Sequence, residues 1–206
     1  MEDLKLYVNK LLKTPIGPIC GLLSVIISLT GNSIALSFYS GFNFDDNMIS
    51  ILGGEWSPYA IFFNLGLILS GIFASPLFLH INRILKEENI STKLRKAAII
   101  VALTSCLIFT LIGVFPALED NELFRFLHGI FFVISIIGGT TFLLFYSVLF
   151  LKSNNFNRYH SYIGFGVILV FVIFLFTWIP IIEWLITFAI IAWIMTISIY
   201  LLYKKL

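Results

Sequence analysis

Runs of about twenty apolar residues recur along this chain, separated by short charged segments, and they leave few folds open to it. A helix needs roughly 20 such residues to cross about 30 Å of hydrocarbon, so most of the chain is expected to lie in lipid. The first uncharged run begins at Ile16, behind a flank containing Glu2, Asp3, Lys5, Lys10 and Lys13. It lacks the small-residue cleavage site of a secretory signal peptide and reads as a retained helix.

Only 12% of the residues are charged and 59% are hydrophobic, against about 25% charged in a soluble domain. The reading is an all-α, polytopic membrane protein, a bundle of six transmembrane helices at about 16–38, 58–82, 97–115, 124–151, 160–179 and 182–203. Residues 1–15 form an N-terminal flank, 16–203 the membrane domain and 204–206 a tail. The stretch from Tyr159 to Tyr203 is too long for one span at about 1.5 Å per residue, and Pro180 with Glu183 marks a tight hairpin in its middle. Pro116 follows the third helix, Ser57-Pro58 offers an N-cap and a favoured first residue to the second, and Pro76 should kink that helix.

Charge placement sets the expected orientation. With a cytoplasmic N-terminus, every Lys and Arg except Arg125 falls on the inside: Lys5, Lys10 and Lys13, then 83–96, 152–158 and 204–205. The outer segments are acidic, with Asp45, Asp46, Glu55, Glu119, Asp120, Glu122 and Glu183. This is the positive-inside pattern and puts both termini in the cytoplasm of a multi-pass cell-membrane protein. The sequon at Asn89–Ser91 then lies inside and goes unused.

Several classes are excluded or unsupported. A net charge of +2 and the lack of a basic, aromatic-interleaved stripe argue against nucleic acid. Cys20 and Cys106 sit in apolar runs with no pairing or metal spacing. No nucleophile elbow, His-Glu-x-x-His helix, phosphate loop or dinucleotide fingerprint is present, so no metal and no cofactor is implied. No internal repeat stands out.

Polar residues inside a bilayer are the informative ones, since leaving them unsatisfied costs several kcal/mol. Small and polar residues line one face of helix 1 (Gly17, Gly21, Ser24, Ser28, Gly31, with Asn32 nearby), helix 2 (Ser57, Asn64, Gly71, Ser75) and helix 4 (His128, Ser135, Gly139). Such stripes let backbones approach, and these three helices are expected to pack together. Asn32, Asn64 and His128 fall in one outer layer, beneath a mouth containing Glu55, Ser57, Arg125 and Glu183, and polar groups so placed are candidates for function. The plainer alternative pairs Arg125 with Glu122 or Glu119 and bonds His128 to a carbonyl. His80 and His160 are expected at the cytoplasmic interface, and Trp56, Trp178 and Trp184 as outer aromatic anchors.

Two stretches, "ISILGGEWSPYAIFFNLGLILSGI" (49–72) and "LIGVFPALEDNELFRFLHGIFFVI" (111–134), have a recognisable pattern. Ser50, Leu52 and Gly53 precede the second helix, Phe63, Asn64 and Gly66 lie in it, and Gly113, Phe115 and Pro116 precede His128 in the fourth. The pattern resembles the prokaryotic domain-of-unknown-function family numbered 998, six-helix relatives of the eukaryotic DRAM/Sfk/PGAP-type membrane proteins. Gly54 followed by Glu55 stands where that family has an acid directly after Leu-Gly. The resemblance implies a six-helix membrane fold and, through the distant relatives, an association with lipid organisation and lipid-anchor remodelling.

The expected function is binding or handling of a lipid or amphiphile in an outward-facing polar pocket between helices 1, 2 and 4, with Asn32, Glu55, Ser57, Asn64, Arg125 and His128 as its residues. Two other readings stay open. One is an intramembrane hydrolase or acyl-transfer enzyme with His128 as general base toward water or a serine such as Ser57 or Ser135. The other is a small-solute transporter, although no acid or lysine is expected at mid-membrane for proton coupling. Membrane lipids are the expected partners; a second copy or another membrane protein stays open.

Overall fold

The computed structural model describes residues 14–206, so the flank bearing Lys5, Lys10 and Lys13 lies outside the described residues. The rest forms six long helices: α1 (Ile16–Ser37), α2 (Ala60–Glu87), α3 (Thr92–Val114), α4 (Glu122–Lys152), α5 (Arg158–Thr177) and α6 (Pro180–Lys204). A short 3-10 turn, Ile49–Gly53, lies between α1 and α2. All six helices are long and apolar enough to cross a membrane. The sequence reading ends helix 2 at 82 and starts helix 3 at 97, whereas α2 and α3 both run further into the charged segment between them. Lys, Arg and Glu are good helix formers, and local partners hold them here: Arg83 pairs with Glu87 one turn on at 3.6 Å, and Arg95 Nη1 donates to Asn82 Oδ1 at 2.8 Å.

Each helix packs on its successor and α6 returns to α1, closing a ring. The helices alternate in direction, so the described Lys and Arg other than Arg125 gather at one end, and the acidic loops at the other. The expectation that helices 1, 2 and 4 pack together is corrected: α1 lies between α2 and α6, and α4 between α3 and α5. The small-residue faces explain it. Gly31 of α1 meets α2, where a Cβ on Gly31 would lie 2.6 Å from Phe62 O and 3.1 Å from Gly66 Cα. The stripe on α4 is used elsewhere, Gly138 against Ser105 of α3 and Gly139 against the Phe171 ring of α5.

Aromatic rings fill the centre of the ring's basic half. Phe78 of α2 stacks on Tyr146 of α4 at 5.7 Å and on Trp193 of α6 at 6.4 Å, with Phe142 and Phe150 beside them. At that end Glu88 joins two turns, accepting from the Ser153 hydroxyl and from the Asn154 and Asn155 amides at 3.0 and 2.8 Å. Asn121 and Asn157 cap α4 and α5 by accepting from Phe124 N and Tyr159 N. Trp178 takes a left-handed conformation (φ 52°) and Pro180 opens α6, making the expected tight hairpin.

Three further expectations are revised. Ser57 does not cap α2, which begins later with Tyr59 at the N-cap position; Ser57 O instead accepts from Ala60 N in a preceding turn. Trp184 is not an interfacial anchor: it is only 3% exposed. The first acidic loop folds over it, with Phe42 and Phe44 against its ring and Asn47 O accepting from its Nε1 at 3.4 Å. Trp56 and Trp178 are exposed. His80 and His160, read as interfacial, are buried within the protein at the basic end: His80 Nε2 bonds Leu206 O at 2.9 Å and His160 Nδ1 bonds Asn157 O, at the N-cap of α5, at 3.0 Å.

Candidate functional site

The residues of the two signature stretches form contacts that hold the acidic end together. Asn64 Nδ2 donates to Gly53 O at 3.0 Å, docking the 3-10 turn onto the first turns of α2. Gly53 sits so close that an added Cβ would lie 2.9 Å from Phe63 Cδ1 and nearer still to Asn64 Oδ1. Gly113 likewise lets the end of α3 approach α2, since its Cβ would fall 2.6 Å from Asn64 O. His128 Nδ1 bonds Phe115 O at 2.9 Å and ties α4 to the segment that leaves α3. A carbonyl only accepts, so Nδ1 donates this bond.

The six sequence-derived candidates therefore separate. Glu55 and Arg125 are exposed, and Arg125 lies in a shallow surface depression with Glu122, Leu123 and Phe126. Ser57 is buried with no hydrogen-bond partner for Oγ. Asn64 and His128 are engaged with backbone carbonyls. Asn32, 6% exposed, is the one of the six that lines the bundle's central cavity. Ser135, offered as a partner for His128, donates instead to Phe132 O at 2.7 Å.

That cavity is partly open, has a volume of about 170 Å³, and is walled by all six helices and the 3-10 turn. The ring architecture creates it: six helices packed neighbour to neighbour leave a centre that the aromatic cluster fills only in the basic half. Its walls are mainly apolar, with Phe and Ile side chains from α2 to α6. Its polar groups are mostly hydroxyls, and four of the seven have committed their protons. Ser24, Ser70, Ser135 and Thr187 each donate to a carbonyl of their own helix, at 2.8, 3.1, 2.7 and 3.0 Å. Back-bonded hydroxyls present only oxygen lone pairs to the space beyond.

The acidic end of the cavity holds Asn32, Ser50 and Glu183. Glu183 sits in the first turn of α6 and is 3% exposed. Its carboxyl faces the backbone amides of Ile49 and Ser50 and the Ser50 hydroxyl. Oε2, however, is buried with no hydrogen-bond partner. No Lys, Arg or His stands among the residues described as lining the cavity. Sequence reasoning placed Glu183 at the mouth, as the acid of the short outer segment between the last two helices. The available signal was spacing: Glu183, Thr187, Ile190 and Ile194 recur at three and four residues and form one stripe.

Among the described residues no group of three His, Cys, Asp or Glu side chains converges for a metal. The three histidines bond carbonyls in separate places. No curated protein and no solved structure matches the chain. A family model described as "Protein of unknown function (DUF998)" matches residues 19–200. With six membrane-length helices spanning that match, the chain belongs to the DUF998 family.

Proposed function

We propose that this protein binds a lipid or another amphiphile in the central cavity, with the apolar part among the Phe and Ile side chains and the polar part toward Asn32, Ser50 and Glu183. One observation supports this reading above all: a space of about 170 Å³ walled mainly by apolar side chains, with Asn32, Ser50 and Glu183 among its polar ones. An apolar cavity of roughly 150 Å³ takes up a benzene-sized guest, so this one suits a ring or a short alkyl segment. The pocket expected between helices 1, 2 and 4 is thus redrawn around all six. Asn64 and His128 support the end that encloses it. Glu55 and Arg125 remain on the surface. The charge pattern supports the cytoplasm as the side of the basic end, with the polar end of the cavity outward in the cell membrane.

Native mass spectrometry from lipid discs tests the binding. Ser28→Phe on α1 and Ser135→Phe on α4 each place a ring in the space from opposite walls, and each should abolish retention of co-purified amphiphile. Undiminished retention in both folded variants would refute the reading. An enzyme using His128 predicts instead that lipid turnover appears with wild type and vanishes in His128→Ala.

A further inference from the structure

The cavity's surface is one-sided in its chemistry. Its one Glu is buried, has an oxygen without a partner and meets no basic side chain among the described lining residues. Four of its seven hydroxyls spend their protons on carbonyls of their own helices. Six phenylalanines, Phe63, Phe78, Phe109, Phe132, Phe142 and Phe171, contribute to the wall. A carboxyl with no basic partner, acceptor oxygens and aromatic rings are together the kind of groups that attract a positively charged guest, quaternary ammonium included. An anionic headgroup would find no cationic side chain among those lining residues.

We propose that the cavity selects an organic ammonium, the cationic group of an amphiphile whose apolar part lies along the phenylalanines, with Glu183 as its counter-charge. This rests on the amphiphile-binding reading above and narrows it to a charge class. Asn32 and Ser50, beside Glu183, orient the headgroup. A bound cation would also pair a buried carboxyl whose remaining oxygen has no hydrogen-bond partner.

Hexyltrimethylammonium, hexanol and hexanoate are the probes, measured by equilibrium dialysis against protein in discs of a neutral galactolipid, with empty discs as background. Wild type should bind the ammonium probe about tenfold more tightly than hexanol and hexanoate least. Glu183→Gln preserves the side chain's shape and its acceptor toward Ile49 and Ser50; it should erase the preference for the ammonium probe over hexanol. Weaker ammonium binding in discs of phosphatidylcholine would identify a lipid headgroup as the source of the cation, and unchanged binding a free amine; both agree with the proposal. Hexanol bound with no ammonium preference in wild type would overturn it while leaving the amphiphile reading intact, and would mark Glu183 as a cap for the 3-10 turn. Failure of all three probes to bind would overturn both. The wild-type comparison needs no variant, so misfolding of Glu183→Gln would not rescue the idea.

Discussion

The Nδ1 of His128 bonds the carbonyl oxygen of Phe115 at 2.9 Å, joining α4 to the segment that ends α3. A histidine held this way is a strut of the acidic end. Its removal leaves a carbonyl without its donor and a gap beside Phe132, whose ring lies nearly parallel to the imidazole at 6.4 Å. His128→Ala should therefore lower stability by about 1–3 kcal/mol, read as the denaturation midpoint in detergent. An unchanged midpoint would reject the strut.

Asn64 and Gly53 form the matching contact on the other side. Gly53→Ala should be destabilising by about 1–3 kcal/mol, because the new Cβ runs into Phe63 and Asn64. Asn64→Ala should cost a similar amount through the lost bond to Gly53 O. The double variant should cost less than the sum, since removing the Asn64 amide makes room for the added methyl. A strictly additive thermodynamic cycle would show the two residues to be uncoupled.

Glycines in these helices should divide sharply by environment. Gly31→Ala and Gly113→Ala force Cβ atoms to within 2.6 Å of backbone oxygens on α2, which cannot withdraw like a flexible side chain, and both should impair folding. Gly129 and Gly166 meet nothing within 4 Å. Alanine at either should be neutral or stabilising by up to about 1 kcal/mol through helix propensity. Thermal unfolding of the four variants checks the contrast; equal losses at all four positions would contradict it.

At the basic end Glu88 receives three hydrogen bonds from residues 153–155. Bonds to a charged acceptor contribute roughly 1.5–3 kcal/mol when made. Glu88→Ala should release the α4–α5 turn, seen as faster amide hydrogen exchange at Asn154 and Asn155, with much smaller change in the acidic-end loops. Protection unchanged at those two amides would show that the turn holds itself.

Much of the fold is legible from the chain alone. The apolar runs, Pro116, Pro180 and the one-sided basic charge locate six helices and their alternation, because crossing lipid imposes length and composition on each helix separately. The signature residues were legible as a pattern, but their work was not. The sequence puts Asn64 and His128 at the expected depth of Asn32, yet each meets a carbonyl from a neighbouring segment, and a partner of that kind has no sequence spacing that announces it.

Tertiary structure alone decides which faces meet. In water, a helix shows its buried side by its hydrophobic stripe. In lipid, tails are as apolar as leucine, so the inward and outward faces of α1 to α6 look alike in sequence. Only the closed ring, formed as α6 packs back on α1, creates the central cavity and puts Glu183 in its wall. Sequence determined six crossings and their charged ends; packing determined that an acid first read as part of an outer mouth faces the interior.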